Sequence, residues 1–380
     1  MPRAKFSRRE FSRAIGQSLA LALVAPGLHK RFGEKSVTSG AAHPLLLNFN
    51  ENPYGPTPKA LEALAACGHA AARYPDAAHN AVRDALAELH GVKPENVVLG
   101  CGSTEILRAA DSAFLAPGET VVVAETTFEA VLRYARATRA TPVQVPMTAD
   151  HRHDLPKMAA ACTSKTGLVY ICNPNNPTGT IVTRDELADF IPHVPSTALI
   201  LVDEAYFHFA EHPGYGSVIE LTGRYPNVVV ARTFSKIYGM AGMRLGYAVG
   251  SKENIAAMEA QILRDNCNAA VLPAALASIA DKDYVASSRA RINSTRRWLA
   301  EQLANDGRPF IPSEANFMML DMGTDVAPII ERFKARNILV GRRFPSMKNY
   351  LRVTIGTQEE TEAFLAALRE IAPARGAKAA

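Results

Sequence analysis

From residue 96 onward, short runs of consecutive apolar residues recur, each bounded by glycine or polar residues. Asn96-Val97-Val98-Leu99-Gly100, Val121–Ala124, Gly167–Cys172, Ala198–Val202 and Val228–Ala231 are of this kind, and Gly246–Gly250 adds one more. Apolar runs without alternation are the pattern of strands buried on both faces. A helix-like pattern, Glu105–Leu115, follows the first of them. Continuous apolar strands separated by helices predict an α/β fold with a mostly parallel central sheet covered on both sides. Past Ser251 the spacing changes. Lys252–Leu263 and Tyr284–Leu303 predict long helices, and a mixed α+β pattern runs from Phe310 to the end. The expected division is a large domain over residues 70–265 and a smaller α+β domain made of residues 41–69 with 266–376.

Composition narrows the function classes. The chain has 380 residues, and its formal charge of +5 is the small difference between 42 basic and 37 acidic residues, which argues against a dedicated nucleic-acid binder. The five cysteines (Cys67, Cys101, Cys162, Cys172, Cys267) are odd in number and scattered, so they read as reduced thiols. His151 and His153 flank Arg152 in a polar segment and read as solvated, and no metal is assigned. The first forty residues differ from the rest. Ser7-Arg8-Arg9-Glu10-Phe11-Ser12-Arg13, apolar Ala14–Leu28 and small-residue Ser36–Ala42 follow the order of an export signal. Residues 1–40 are expected to be a twin-arginine leader that would place the protein in the periplasm. The alternative is an N-terminal arm on a neighbouring subunit of a cytoplasmic protein. The apolar stretch contains Gln17 and Ser18 and is too short to span a bilayer, so no membrane anchor is expected.

Ligands of open α/β sheets bind beyond the carboxyl ends of the strands, and four strand candidates end in polar clusters. Gly100-Cys101-Gly102-Ser103-Thr104-Glu105 opens a helix, where glycines and free N–H groups suit an anion, although the same string also reads as a helix cap. Asn173-Pro174-Asn175-Asn176-Pro177-Thr178-Gly179 fixes a turn. Asp203-Glu204-Ala205-Tyr206 puts a carboxylate after five apolar residues, where it requires a cation or a donor; a salt bridge or cap would explain it as well. In the fourth, Lys236 follows an apolar strand and precedes Ile237-Tyr238-Gly239-Met240-Ala241-Gly242-Met243-Arg244. A lysine that loses hydration there becomes a neutral nucleophile, and Arg244 is a cation suited to phosphate.

In order and spacing, these clusters resemble the fold-type-I pyridoxal-phosphate (PLP) enzymes, the class I and II aminotransferases. The likeness runs from about Leu45 to Ile371. Within the family, Leu47-Asn48-Phe49-Asn50-Glu51-Asn52-Pro53-Tyr54-Gly55-Pro56 and Leu351-Arg352-Val353-Thr354-Ile355-Gly356-Thr357 are similar to the histidinol-phosphate aminotransferase branch. The resemblance implies a PLP-dependent transferase fold with a large and a small domain. It also implies a ping-pong exchange between an L-amino acid and a 2-oxo acid. Lys236 resembles the lysine that carries the cofactor, and Asp203 the partner of its ring nitrogen. Asn176 and Tyr206 match the groups that bond its 3-oxygen. Gly102, Ser103, Thr104, Ser235 and Arg244 match its phosphate site, Thr233 is expected to bind the cofactor too, and Phe128 matches the ring that stacks on it. Tyr74 resembles a tyrosine that reaches the partner subunit's cofactor, which implies a homodimer. Arg352, in the late motif, matches the clamp for the substrate carboxylate, and Asn50, in the opening one, is expected to bind substrate as well. Arg342 or Arg343 lies where the branch offers a cation to a substrate phosphate. The segment Arg264–Ala269 departs from the branch by its polarity, on a loop expected to line the substrate side. The same motifs also serve decarboxylases, oxidases or a non-catalytic PLP-binding protein, and leave these alternatives open.

Overall fold

The buried apolar runs do form strands. The computed structural model describes residues 44–373, all within one unit, and the expected leader over residues 1–40 lies outside the described residues. In chain order the central strands are β2 (Val97–Gly100), β3 (Thr120–Ala124), β4 (Thr141–Val145), β5 (Thr166–Cys172), β6 (Leu199–Asp203), β7 (Val228–Thr233) and β8 (Gly246–Val249). They make one seven-stranded sheet in the order β2-β8-β7-β6-β5-β3-β4. Every residue of β5, β6 and β7 is buried, as strands covered on both faces must be.

β8 is antiparallel to both of its neighbours, while the other pairings are parallel. It returns from β7 through a glycine-rich segment that holds one short 3-10 turn, too little for the helical crossover a parallel return requires. Two antiparallel pairings in succession leave β2 pointing the same way as β7. The carboxyl ends of β2, β5, β6 and β7 therefore share one edge of the sheet.

Two smaller sheets stand apart from this one in sequence. β1 (Leu45–Leu47) pairs in parallel with β11 (Ile338–Val340). β10 (Phe317–Asp321) lies between β9 (Phe310–Ile311) and β12 (Tyr350–Thr354), antiparallel to both. Gly341, just past β11, donates its N–H to Arg352 O in β12 (2.8 Å), so the segment after β11 is held against the strand that carries Arg352.

The helix Lys252–Glu259 ends earlier than its apolar spacing predicts. Beyond it the chain turns through Asp265, which has φ 56°, and this brings the Asn266 amide to Leu99 O (3.3 Å) and Glu105 Oε2 (2.7 Å). The other long helix runs over Lys282–Asn305. Among the described residues, no helix is long and apolar enough to cross a membrane.

Candidate active site

A cavity of about 620 Å³ opens at the shared strand edge and is walled on its other side by the segments around β11 and β12. Six side chains from four stretches of the sequence face it: Asn176, Asp203 and Tyr206, Lys236 and Arg244, and Arg352.

Strand alternation sorts the two acids at the end of β6. Glu204 forms a buried ion pair with Arg232 (2.7 Å) and also accepts from Ser217 Oγ (2.8 Å) and Val218 N (2.9 Å). The salt bridge that would make a structural residue of Asp203 thus belongs to its neighbour. Asp203 receives the Tyr170 hydroxyl (2.9 Å) and Ala205 N (3.2 Å) instead. Burial raises its pKa to about 6, against the opposing effect of the Tyr170 bond. A carboxyl group held there without a full counter-charge suits a cationic ring nitrogen.

Lys236 lies three residues past the end of β7. Its ammonium donates to Phe49 O (3.0 Å) and lies 5.6 Å from the centre of the Tyr206 ring. Burial first, then the Arg352 and Arg244 charges, lower its pKa to about 8, opposed by Glu51 and Asp203. The neutral amine that attacks a carbonyl is thereby accessible near neutrality.

At the end of β2, Gly102 caps the helix Ser103–Phe114 with φ 79°. A Cβ on Gly102 would lie 2.0 Å from Arg244 Nη2, and one on Gly246 would lie 2.2 Å from Ser103 N. Only glycine lets the backbone and the guanidinium approach this closely. Arg244 is oriented by bonds from Nη1 to Ala241 O (2.9 Å) and Ser235 Oγ (3.3 Å), and from Nη2 to Thr104 Oγ1 (3.4 Å). Thr233 Oγ1 accepts Ser235 N (3.0 Å). Helix N–H groups, three hydroxyls and a fixed cation make a cradle that fits a phosphate.

Between cradle and outer wall runs a buried network. The Tyr206 hydroxyl accepts from Asn50 Nδ2 (3.1 Å) and Asn176 Nδ2 (3.2 Å), and Asn176 Oδ1 accepts from Arg352 Nη1 (2.7 Å). Arg352 Nη2 donates to Asn48 O (2.9 Å). Asn50 holds φ 55° and is anchored through its N–H to Thr354 Oγ1 (2.9 Å). Arg352 is 8% exposed, lies against the rings of Phe317 (5.5 Å) and Phe344 (5.2 Å), and carries no ion pair among the described residues. It is a desolvated cation whose partners in the protein are neutral.

The remaining expectations divide. Phe128 lines the cavity and is 36% exposed. Arg342 lines it too, paired with Glu129 (2.6 Å), whereas Arg343 makes a bidentate pair with Asp325 outside it. Tyr74 is 79% exposed and does not line the cavity of its own chain. The segment Arg264–Ala269 is also absent from the lining. Arg264, Asp265, Asn266 and Cys267 border a separate cleft with Pro75 and His79, so the polarity of this loop has no bearing on this cavity within one chain. His153 is buried rather than solvated, its Nε2 bonded to Cys172 O (3.0 Å), because the chain folds that face of the loop onto the end of β5. Phe49, Glu129 and Phe344 also face the cavity, and the sequence marks none of them. Tyr170 is hidden in an apolar run.

The family model for "Aminotransferase class I and II" matches residues 42–368. The chain belongs to that family. It is 39% identical over 336 residues to the histidinol-phosphate aminotransferase of Moorella thermoacetica, covering 87% of this chain and 86% of that one. It is also 39% identical over 317 residues to the aromatic amino acid aminotransferase of Rhodococcus jostii, covering 83% and 87%. Among solved structures, the histidinol-phosphate aminotransferase of Sinorhizobium meliloti in complex with PLP aligns with a TM-score of 0.80 at 28% identity, over 86% of this chain and 89% of that one. The protein is therefore a PLP-dependent aminotransferase of the type I fold, acting on amino acids and 2-oxo acids. The cavity fits that cofactor: the glycine-bounded cradle suits its phosphate, Asp203 its ring nitrogen and Lys236 its aldehyde.

Proposed function

We propose that the amino donor carries an aromatic ring and an anionic head, carboxylate or phosphate, and that the head meets Arg352. The observation that carries this reading is Arg352 itself, a buried cation without a counter-charge set against the ring of Phe344. Phe49, Phe128, Phe344, Ile330 and Val340 give the same cavity an apolar wall where a side chain would lie. Relatives named for histidinol phosphate and for aromatic amino acids both fit this description, since each name implies a ring.

When bound, PLP supplies an electron sink that allows the Cα–H bond of an amino acid to break. The residues then divide the work. Lys236 would carry the cofactor, and its freed amine would take the proton from Cα and return it to the cofactor's former aldehyde carbon, on the far side of the amino nitrogen. Asp203 keeps the ring nitrogen protonated, and burial against Tyr170 fixes its orientation. Asn176 and Tyr206 hold the ring's 3-oxygen. Because Asn176 also bonds Arg352, substrate seating is linked to cofactor seating through a single side chain. Gly102, Ser103, Thr104, Thr233, Ser235 and Arg244 would anchor the phosphate, and Phe128 would offer its ring to the cofactor's.

Measured as kcat/KM across a donor panel, phenylalanine, tyrosine or histidinol phosphate should exceed alanine and lysine by about 100-fold, the discrimination an apolar pocket can give. Alanine or lysine ranking first would remove the aromatic reading. The exposed ring of Tyr74 supports a homodimer in which it reaches the partner's cofactor. Sedimentation should then give twice the chain mass. A monomer at full activity would contradict it.

A further inference from the structure

Two arginines pack against one ring at the outer wall of the cavity. The Phe344 ring centre lies 4.3 Å from the guanidinium of Arg342 and 5.2 Å from that of Arg352. Their charges are handled differently. Arg352 is buried and has only neutral partners, whereas Arg342 Nη2 is held by Glu129 Oε2 at 2.6 Å. Glu129 immediately follows Phe128, and both line the cavity. It begins the helix Ala130–Thr138 but makes no side-chain cap bond there. Its carboxylate is about half exposed and is committed to Arg342 rather than to the fold.

We propose that Glu129 is a specificity-determining residue that sets how much negative charge a substrate can bring into the cavity. The inference rests on the reading of Arg352 as the anion clamp. One negative charge is met by Arg352 without competition. Among the other cations of the cavity, Arg342 is the one that shares Phe344 with Arg352, and a second charge, whether on a distal carboxylate or on a doubly ionised phosphate, must displace Glu129 to use it. The displaced carboxylate then stays beside the incoming anion and repels it. Glu129 thus favours singly charged aromatic amino acids over substrates with two negative charges. Without it, the two arginines packed against Phe344 would form one doubly cationic wall.

The opposing forces are small enough to tune rather than block. A partly exposed ion pair contributes up to about 1 kcal/mol, which corresponds to roughly a five-fold change in affinity. The enzyme can then still accept a dicarboxylic partner at high concentration while discriminating at low concentration.

The test is equilibrium binding by calorimetry to the PLP-loaded protein, using two unreactive ligands. Glutarate carries two carboxylates, and 3-phenylpropanoate carries one carboxylate and a ring. Glu129→Gln should bind glutarate about five-fold more tightly and 3-phenylpropanoate unchanged. Adding Arg342→Gln to Glu129→Gln should abolish the gain, because the freed cation is then gone. Unchanged glutarate affinity in Glu129→Gln, with 3-phenylpropanoate still bound, would overturn this proposal alone. An equal gain for both ligands would also overturn it, since the effect would then be general. Failure of 3-phenylpropanoate to bind any of the proteins would instead overturn the Arg352 reading and the proposal with it.

Discussion

Lys236→Ala is expected to give a folded protein to which no PLP becomes covalently fixed after borohydride reduction, and transamination should fall by at least about 10⁴-fold, the upper end of what a positioned acid–base group contributes. The fold should survive because the ammonium makes one hydrogen bond, to Phe49 O, and its removal relieves a crowded set of cations formed with Arg244 and Arg352. The cradle at Gly102 and Arg244 stays intact, so the variant should still retain PLP non-covalently, with weakened affinity. The same residue sets a pH dependence. With its pKa lowered to about 8, Lys236 is protonated below that pH and neutral above it. Capture of PLP by the cofactor-free protein should therefore speed up about ten-fold per unit between pH 6 and 8 and level off above. A stopped-flow profile that keeps rising to pH 10 would mean the amine is not perturbed. Covalent fixation of PLP by the alanine variant would mean that another lysine carries it.

Arg352→Ala should lower kcat/KM for aromatic donors by about 10² to 10³-fold, as expected when one partner of a buried charge pair is truncated at a cost of roughly 2–5 kcal/mol. PLP affinity should change by only a few-fold, because the link from Arg352 to the cofactor runs through Asn176 and Tyr206 rather than through the phosphate cradle. Arg352→Lys should recover part of the loss. A lysine keeps the charge but lacks the planar fork that bonds Asn176 and Asn48 while facing a carboxylate. Steady-state kinetics together with a PLP titration separate these effects. Equal loss of substrate and cofactor binding would show that Arg352 supports the site as a whole and does not clamp an anion.

The parts of this site that the sequence reveals are those where chemistry and backbone make the same demand. Gly102 and Gly246 are glycine because a guanidinium and a helix N-terminus crowd against them, and the apolar strands before Asp203 and Lys236 show where the shared edge lies. What stays hidden depends on pairings between distant segments. Nothing in Thr126-Thr127-Phe128-Glu129 announces that Glu129 meets Arg342, more than two hundred residues away. The Tyr170 hydroxyl that orients Asp203 sits within a run whose apolarity marks only a buried strand. The reversal of β8 escapes for a similar reason, since strand direction follows from the length and content of the connection and not from the strand's own residues. β4 is an edge strand with Pro142 in it and only one fully buried residue, so it lacks the apolar run that gives the central strands away. The helix Lys252–Glu259 stops short because Asn266 is drawn to Glu105, a tertiary bond that local periodicity does not register.

This chain moves an amino group from an amino acid to a 2-oxo acid through its own PLP. The most direct measurement is a single-turnover experiment in which PLP-loaded protein is mixed with isotopically labelled phenylalanine in the absence of any acceptor. One equivalent of phenylpyruvate per bound cofactor is expected, with the labelled amino group retained by the protein and delivered quantitatively to a 2-oxo acid added afterwards. Release of carbon dioxide, peroxide or free ammonia in place of that transfer would contradict it.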